Sequence, residues 1–162
     1  SPKVKNELIS TLAIYSGFSG LAGGQYFDLT FEKKKISIKK VIDIQNNKTG
    51  KLFAFCCECA GIIKGYNFNK RKMLKKIGLD IGLLFQIVDD LIDFKGDSKI
   101  VGKPTKRDKK KGKQTLINLL GYKETLNFVN NLKNKIDKKI INYGIKSNYL
   151  LQSVQFIVDR KF

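Results

Sequence analysis

With 162 residues, of which 42% are hydrophobic and 28% charged, the chain is long enough to bury a core and has the composition of one globular domain. It contains no histidine, which excludes the commonest general base and the commonest zinc ligand. The net charge of +18 attracts polyanions, but because the lysines are spread along the whole chain, composition alone favours a solvated basic surface. No run reaches the roughly 18 consecutive apolar residues that a membrane span requires.

The apolar pattern predicts helices along the chain and no sustained strand, so we expect an all-α fold. A first helix is expected from about Val4 to about Leu29, although its glycines are each unfavourable in a helix by up to about 1 kcal/mol. Close approach of a neighbouring helix or of a ligand is the usual reason for such glycines. The candidate core residues of this helix are Leu8, Leu12, Tyr15, Leu21 and Ala22.

Two further helices are expected over residues 38–64 and 70–94, with Ser37 and Asn69 as candidate N-caps. The second of these begins with basic residues and is then hydrophobic around most of its circumference, which is typical of the centre of a helical bundle. Residues 95–114 are predicted to form a basic loop. Amphipathic helices over about 116–120, 123–143 and 149–158 are expected to close the chain.

Cys56, Cys57 and Cys59 lie too close together on one predicted helix to form a disulfide framework. A zinc site would need further cysteine or histidine ligands, which the chain does not offer. We therefore expect buried, reduced thiols in a cytoplasmic protein.

An acidic cluster follows the most hydrophobic stretch. At about 100° per residue, Gln86, Asp89, Asp90 and Asp93 occupy an arc of about 100° on one side of the helix. Three neighbouring carboxylates repel one another in a partly buried place, and a divalent cation would neutralise them. Hard oxygen ligands on one side suit magnesium, with waters and a phosphate completing the coordination. A solvated acidic helix end is the alternative, but the apolar run before the acids favours a core helix.

A magnesium ion bound to phosphate predicts cations nearby. Lys48-Thr49-Gly50 offers a point charge and a hydroxyl beside a small residue that permits close approach. The loop after the aspartates offers further basic residues, namely Lys103, Lys106, Arg107 and Lys113.

These motifs, in this order, resemble those of the trans-isoprenyl diphosphate synthases, and most closely the bacterial enzymes of the farnesyl (geranyltranstransferase) type. Residues 85–93, followed by Gly96-Asp97 and Gly102-Lys103, resemble the second aspartate-rich region of that family. Lys48-Thr49-Gly50 resembles its Lys-Thr element, and residues 23–28 resemble its Gly-Gly-Gln…Asp helix. The basic pair Arg160-Lys161 is a much weaker match to the family's C-terminal tail.

The resemblance implies an isoprenoid synthase helical bundle and a prenyl-transfer reaction. Magnesium would grip an allylic diphosphate, which ionises, and the double bond of isopentenyl diphosphate would attack the allylic cation. It implies that Asp89, Asp90 and Asp93 bind magnesium, with Asp89 as a direct ligand. It also implies that the allylic diphosphate is held by Lys48, Thr49, Gln86, Lys103 and Lys113, and that Gln25 lines the pocket. Asp89, Asp90, Lys48 and Lys103 are the residues expected to matter most for catalysis.

One family element is missing from the sequence, because no second aspartate cluster of the Asp-x-x-x-Asp kind lies on a candidate pocket face. We therefore expect residues 1–162 to be the C-terminal portion of a single isoprenoid synthase domain. An upstream segment is expected to carry the first aspartate-rich motif and most contacts to isopentenyl diphosphate. The family is typically homodimeric, so we expect a homodimer.

Two other functions remain open at this point. A non-catalytic regulatory subunit of the same family would have no reason to retain Asp89, Asp90 and Asp93. A basic helical nucleic-acid-binding domain would need its lysines gathered on one face, whereas here they are distributed.

Overall fold

The computed structural model describes residues 1–95 and 114–160. Its α-helices are α1 (Pro2–Ser16), α2 (Leu21–Thr30), α3 (Ile38–Gln45), α4 (Lys51–Ile63), α5 (Phe68–Lys95), α6 (Leu116–Leu120), α7 (Tyr122–Ile141) and α8 (Asn148–Asp159). A π-helical turn, Asn46–Gly50, joins α3 to α4, and a 3₁₀ turn, Ile145–Ser147, precedes α8. No strand occurs in the described residues, which confirms the all-α prediction.

The chain forms two compact units. The first comprises Ser1–Leu29 and Ile42–Leu83, and the second comprises Thr30–Val41 and Leu84–Phe162. Helix α5 therefore contributes its first part to one unit and its last three turns to the other. No helix in the described ranges is both long enough and apolar enough to cross a membrane.

A network of polar side chains joins three helices of the first unit. Helix α1 packs against α4, and the Tyr15 hydroxyl on α1 donates to Glu58 on α4 at 2.5 Å. Arg71 of α5 donates to Glu7 of α1 at 2.5 Å and to Glu58 at 3.4 Å. Burial, reinforced by the Glu58 carboxylate and opposed by Arg71, raises the pKa of Tyr15 well above its usual range. The phenol therefore remains a hydrogen-bond donor at physiological pH.

Helix α5 also approaches the π-helical turn closely. A Cβ atom on Gly82 would lie 2.7 Å from the Cα atom of Gly50, which is closer than real side chains come. Glycine at residue 82 therefore lets the backbone of α5 pack directly on the end of the Lys-Thr element.

The second unit has an apolar core around α7, which packs against α6 and α8. Val129, Leu132, Ile136 and Ile140 are buried at intervals of three and four residues, as expected for one face of a helix. The last turns of α5 contribute buried side chains to the same unit, among them Leu84, Ile87, Val88 and Leu91. The ring of Phe94 stacks on that of Tyr122, with centroids 6.4 Å apart, and this contact links the end of α5 to the start of α7.

Some predictions of local structure were wrong. The first predicted helix is two helices, because α1 ends at Gly17 in extended backbone (φ −75°, ψ −161°) and α2 begins at Leu21. Leu12 and Ala22 are exposed rather than buried. The cap of α5 is Asn67 rather than Asn69, since the Asn67 side chain accepts from the Lys70 amide at 3.0 Å.

The Ser37 cap is confirmed, since its hydroxyl accepts from the Lys40 amide at 3.2 Å. The predicted burial of all three thiols is wrong, because Cys56 is exposed, whereas Cys57 and Cys59 are partly buried. Burial raises the pKa of the Cys57 thiol to about 11, so this thiol stays protonated at neutral pH.

Replacing Tyr15 by Phe removes a hydrogen bond to a buried carboxylate, so we expect the free energy of unfolding to fall by about 1–3 kcal/mol. Urea denaturation of the two proteins measures the difference. Tyr149→Phe is the matched control, because Tyr149 is 82% exposed, and it should change stability by less than about 0.5 kcal/mol. Equal effects of the two substitutions would show that the Tyr15–Glu58 bond does not stabilise the first unit.

Candidate functional site

The Lys-Thr element lies on the π-helical turn of the first unit. Lys48 and Thr49 are partly exposed, and Gly50 is buried at the end of the turn. A π-helical turn inserts an extra residue into a helix, and such turns occur often at functional sites. The prediction of one helix over residues 38–64 is therefore right in extent, but it missed this change of helical geometry at Lys48.

Helix α2 holds Lys48 in two ways. A Cβ atom on Gly24 would lie 2.6 Å from the Cα atom of Lys48, so the two backbones are in direct contact. One turn later on the same face of α2, Asp28 lies 2.5 Å from the Lys48 ammonium, and the two side chains are only 13% and 26% exposed. Two motifs that are 20 residues apart in the sequence therefore meet in one unit. Gln25, the predicted pocket residue, is exposed on α2.

The aspartate cluster lies near the C-terminal end of α5, in the second unit. Asp90 and Asp93 are 5% and 9% exposed, and they flank the buried residues Leu91 and Ile92. The Gln86 amide donates to Asp90 at 2.9 Å, as their spacing of four residues allows. Asp90 and Asp93 therefore project from a core helix rather than from a solvated acidic helix end, whereas Asp89 is partly exposed.

The donor chemistry of this cluster fits magnesium only as part of a larger coordination shell. In residues 1–95 and 114–160, no three cysteine, histidine or carboxylate side chains converge as a metal centre. Asp89 and Asp93, four residues apart, share one side of α5, whereas Asp90 is directed toward Gln86. Magnesium keeps several waters and commonly binds through one or two carboxylates plus phosphate oxygens, so these hard oxygen donors fit that mode.

Arg160, which was only a weak candidate in the sequence, lies beside the aspartates in the structure. Its guanidinium lies over the Phe85 ring at 4.2 Å and donates to the Phe85 carbonyl oxygen at 3.1 Å. It also lies 3.7 Å from Asp89. Burial lowers the pKa of Arg160, and the nearby Asp89 carboxylate opposes that shift. The signal in the sequence was weak, namely a basic pair after the last predicted helix that resembles the family's C-terminal tail.

Several predicted residues lie outside the described residues, so the structure does not place them. They are Lys103 and Lys113 of the diphosphate-binding prediction, together with Gly96, Asp97, Gly102, Lys106, Arg107 and Lys161.

Comparison with known proteins identifies the family. A family model described as polyprenyl synthetase matches residues 4–147. The chain belongs to the polyprenyl synthetase family. This membership confirms the resemblance to the trans-isoprenyl diphosphate synthases drawn from the motifs.

Individual relatives agree. A farnesyl diphosphate synthase of Micrococcus luteus is 33% identical over 158 residues, which are 98% of this chain and 54% of that protein. An FPP/GFPP synthase from Zymomonas mobilis has a similar structure, with a TM-score of 0.83 and 35% identity over 98% of this chain and 52% of that one. A geranyltransferase from Helicobacter pylori, complexed with magnesium and isoprenyl diphosphate, has a TM-score of 0.83 and 26% identity over the same shares.

These similarities establish two further points about the chain. Its fold is the helical fold of the isoprenoid synthases, as the motifs implied. The chain spans about half the length of the curated relatives and solved structures that it matches.

The contact between Gly24 and Lys48 predicts that Gly24→Ala disturbs the π-helical turn. Because the added methyl group overlaps the Lys48 backbone, we expect a loss of about 1–3 kcal/mol in the free energy of unfolding. Amide hydrogen exchange at residues 46–50 should also become faster. Ala22→Ser, an exposed change on the same helix, is the control and should leave both quantities unchanged. Normal stability and exchange in Gly24→Ala would contradict the assigned backbone contact.

Proposed function

We propose that the full-length protein is a short-chain trans-isoprenyl diphosphate synthase that condenses an allylic diphosphate with isopentenyl diphosphate. Farnesyl diphosphate is the product we favour, since farnesyl diphosphate synthases are among the relatives. The observation that carries the proposal is the retention of buried carboxylates on a core helix, in a chain that belongs to the polyprenyl synthetase family. A regulatory subunit that performs no chemistry would have no need to keep three acids there.

In the proposed reaction, the bond between the allylic carbon and the diphosphate oxygen breaks, and the diphosphate leaves with the electron pair. The double bond of isopentenyl diphosphate attacks the allylic cation to form a carbon–carbon bond. The resulting cation then loses a proton to an oxygen of the departed diphosphate, which restores a double bond. No side-chain nucleophile is required, which is consistent with a chain without histidine. Magnesium, when bound, supplies charge stabilisation for the departing diphosphate.

The residues of the chain have distinct parts in this proposal. Asp89, Asp90 and Asp93 would hold magnesium, and Gln86 would contact the allylic diphosphate. Lys48 and Thr49 would bind diphosphate oxygens, as would Lys103 and Lys113.

The proposed role of Lys48 is supported by its contact with Asp28. The side chain is partly buried and its ammonium is held 2.5 Å from the carboxylate, so less conformational freedom remains to be lost when an anion binds. Asp28 would thus keep Lys48 extended from the π-helical turn in the absence of substrate.

The direct test is a condensation assay of the full-length protein with magnesium, an allylic diphosphate and isopentenyl diphosphate. We expect a product longer by one five-carbon unit, and Asp89→Asn should lower kcat/KM by about 100-fold or more, because it removes a negative charge from the magnesium position. Asp43→Asn, an exposed change on α3, should leave kcat/KM unchanged. If the wild-type protein forms no condensation product, the enzymatic function is wrong and the regulatory subunit becomes the better explanation.

We further propose that an upstream segment provides the first aspartate-rich motif, and that the protein is a cytoplasmic homodimer. The proposal is supported by the share of its relatives that the chain covers and by apolar side chains that it leaves at the surface. Ile9, Ile14 and Phe18 are 67%, 60% and 70% exposed, and in this proposal the upstream segment or the partner subunit covers them.

If that proposal is right, residues 1–162 alone should form no condensation product, because only one of the two magnesium-binding motifs is present. The same assay on the isolated chain and on the full-length protein, at equal concentration, measures this. Inorganic diphosphate release, followed in parallel, separates failed ionisation from failed condensation. Turnover by the isolated chain at a rate comparable with the full-length protein would refute the need for an upstream motif.

A further inference from the structure

Arg160 is fixed at the end of α8 by contacts that do not depend on Asp89. The Nη2 atom donates to the Phe85 carbonyl oxygen at 3.1 Å, and the guanidinium covers the Phe85 ring at 4.2 Å. The Nε atom donates to the Ile157 carbonyl oxygen at 3.4 Å. Phe85 lies one helical turn before Asp89 on α5. The guanidinium is therefore held beside the aspartate cluster by the backbone and the ring, within a single unit of the fold.

The ion pair between Arg160 and Asp89 is long. The Nη1 atom lies 3.7 Å from Asp89 Oδ1, which is an ion pair but is too long for a hydrogen bond. The two side chains are 21% and 32% exposed, so solvent screens the pair only in part. Because an arginine does not lose its proton at physiological pH, the positive charge stays beside Asp89.

We propose that Arg160 makes magnesium binding at Asp89 conditional on the presence of a diphosphate group. The inference rests on the proposed function and deepens it. A divalent cation that binds at Asp89 without a diphosphate has the fixed positive charge of Arg160 beside it, and the repulsion weakens its binding. A diphosphate brings several negative charges with the metal, so the same guanidinium then attracts the complex and can donate to phosphate oxygens. Arg160 thus weakens the binding of the free metal ion and strengthens the binding of the metal–diphosphate complex.

The opposite signs of the two effects make the test specific. Binding of Mn²⁺ to the full-length protein is followed by electron paramagnetic resonance, first with Mn²⁺ alone and then with Mn²⁺ and inorganic pyrophosphate. In Arg160→Gln we expect the affinity for Mn²⁺ alone to rise at least about threefold, and the affinity for Mn²⁺ with pyrophosphate to fall at least about threefold. Arg160→Lys keeps the charge and should shift both affinities in the same directions as Arg160→Gln, but by less.

Lys146→Gln is the matched control, because it removes one positive charge from an exposed residue at the other end of α8, roughly 18 Å of helix away. It should change neither affinity by more than the scatter of the measurement. Circular dichroism of each variant establishes that the helices are intact. If Arg160→Gln weakens both kinds of binding, or changes neither, Arg160 is structural and the inference is wrong. If the wild-type protein binds no Mn²⁺ in the presence of pyrophosphate, both the inference and the proposed function are wrong.

Discussion

Helix α5 must bury apolar side chains around most of its circumference and still carry three carboxylates near its C-terminal end. Burial of the apolar residues fixes the rotation of the helix, and with it the direction in which the acids project. Asp90 and Asp93 are nearly inaccessible, so their charges need partners in the protein or a bound cation. Within the second unit, Gln86 and Arg160 answer part of this concentration of negative charge, since Gln86 donates to Asp90 and Arg160 pairs with Asp89.

Each unit places a basic side chain against an acid of one of the motifs that resemble the family's. In the first unit, Lys48 on the π-helical turn pairs with Asp28 of α2. In the second, Arg160 at the end of α8 lies beside Asp89 of α5. Each cation is partly buried. The Lys48 ammonium is held by the Asp28 carboxylate, and the Arg160 guanidinium is held by the Phe85 carbonyl oxygen.

The predicted helices were right where one strong apolar pattern governs the structure. The long apolar run of α5 and the three- and four-residue spacing of α7 gave the right helices, because burial on one face dominates their stability. The predictions were wrong where local backbone geometry decides the structure. The break after α1 depends on Gly17 leaving helical geometry, and the π-helical turn at Lys48 depends on how that segment packs against Gly24 and Gly82. The glycines indicated that some close approach occurs, but the order of residues does not say which backbone segment approaches them or where the helix breaks.

The sequence by itself determined the helical class, the acidic arc of Gln86, Asp89, Asp90 and Asp93, and the family to which these motifs belong. It could do so because helical periodicity and motif spacing are properties of neighbouring residues. Only the tertiary structure decided that Asp28 faces Lys48, that Asp90 accepts from Gln86 while remaining buried, and that Arg160 stands beside Asp89. Of these, the pairs Asp28–Lys48 and Asp89–Arg160 join residues 20 and 71 positions apart, and helix packing rather than chain order brings them within a few ångströms.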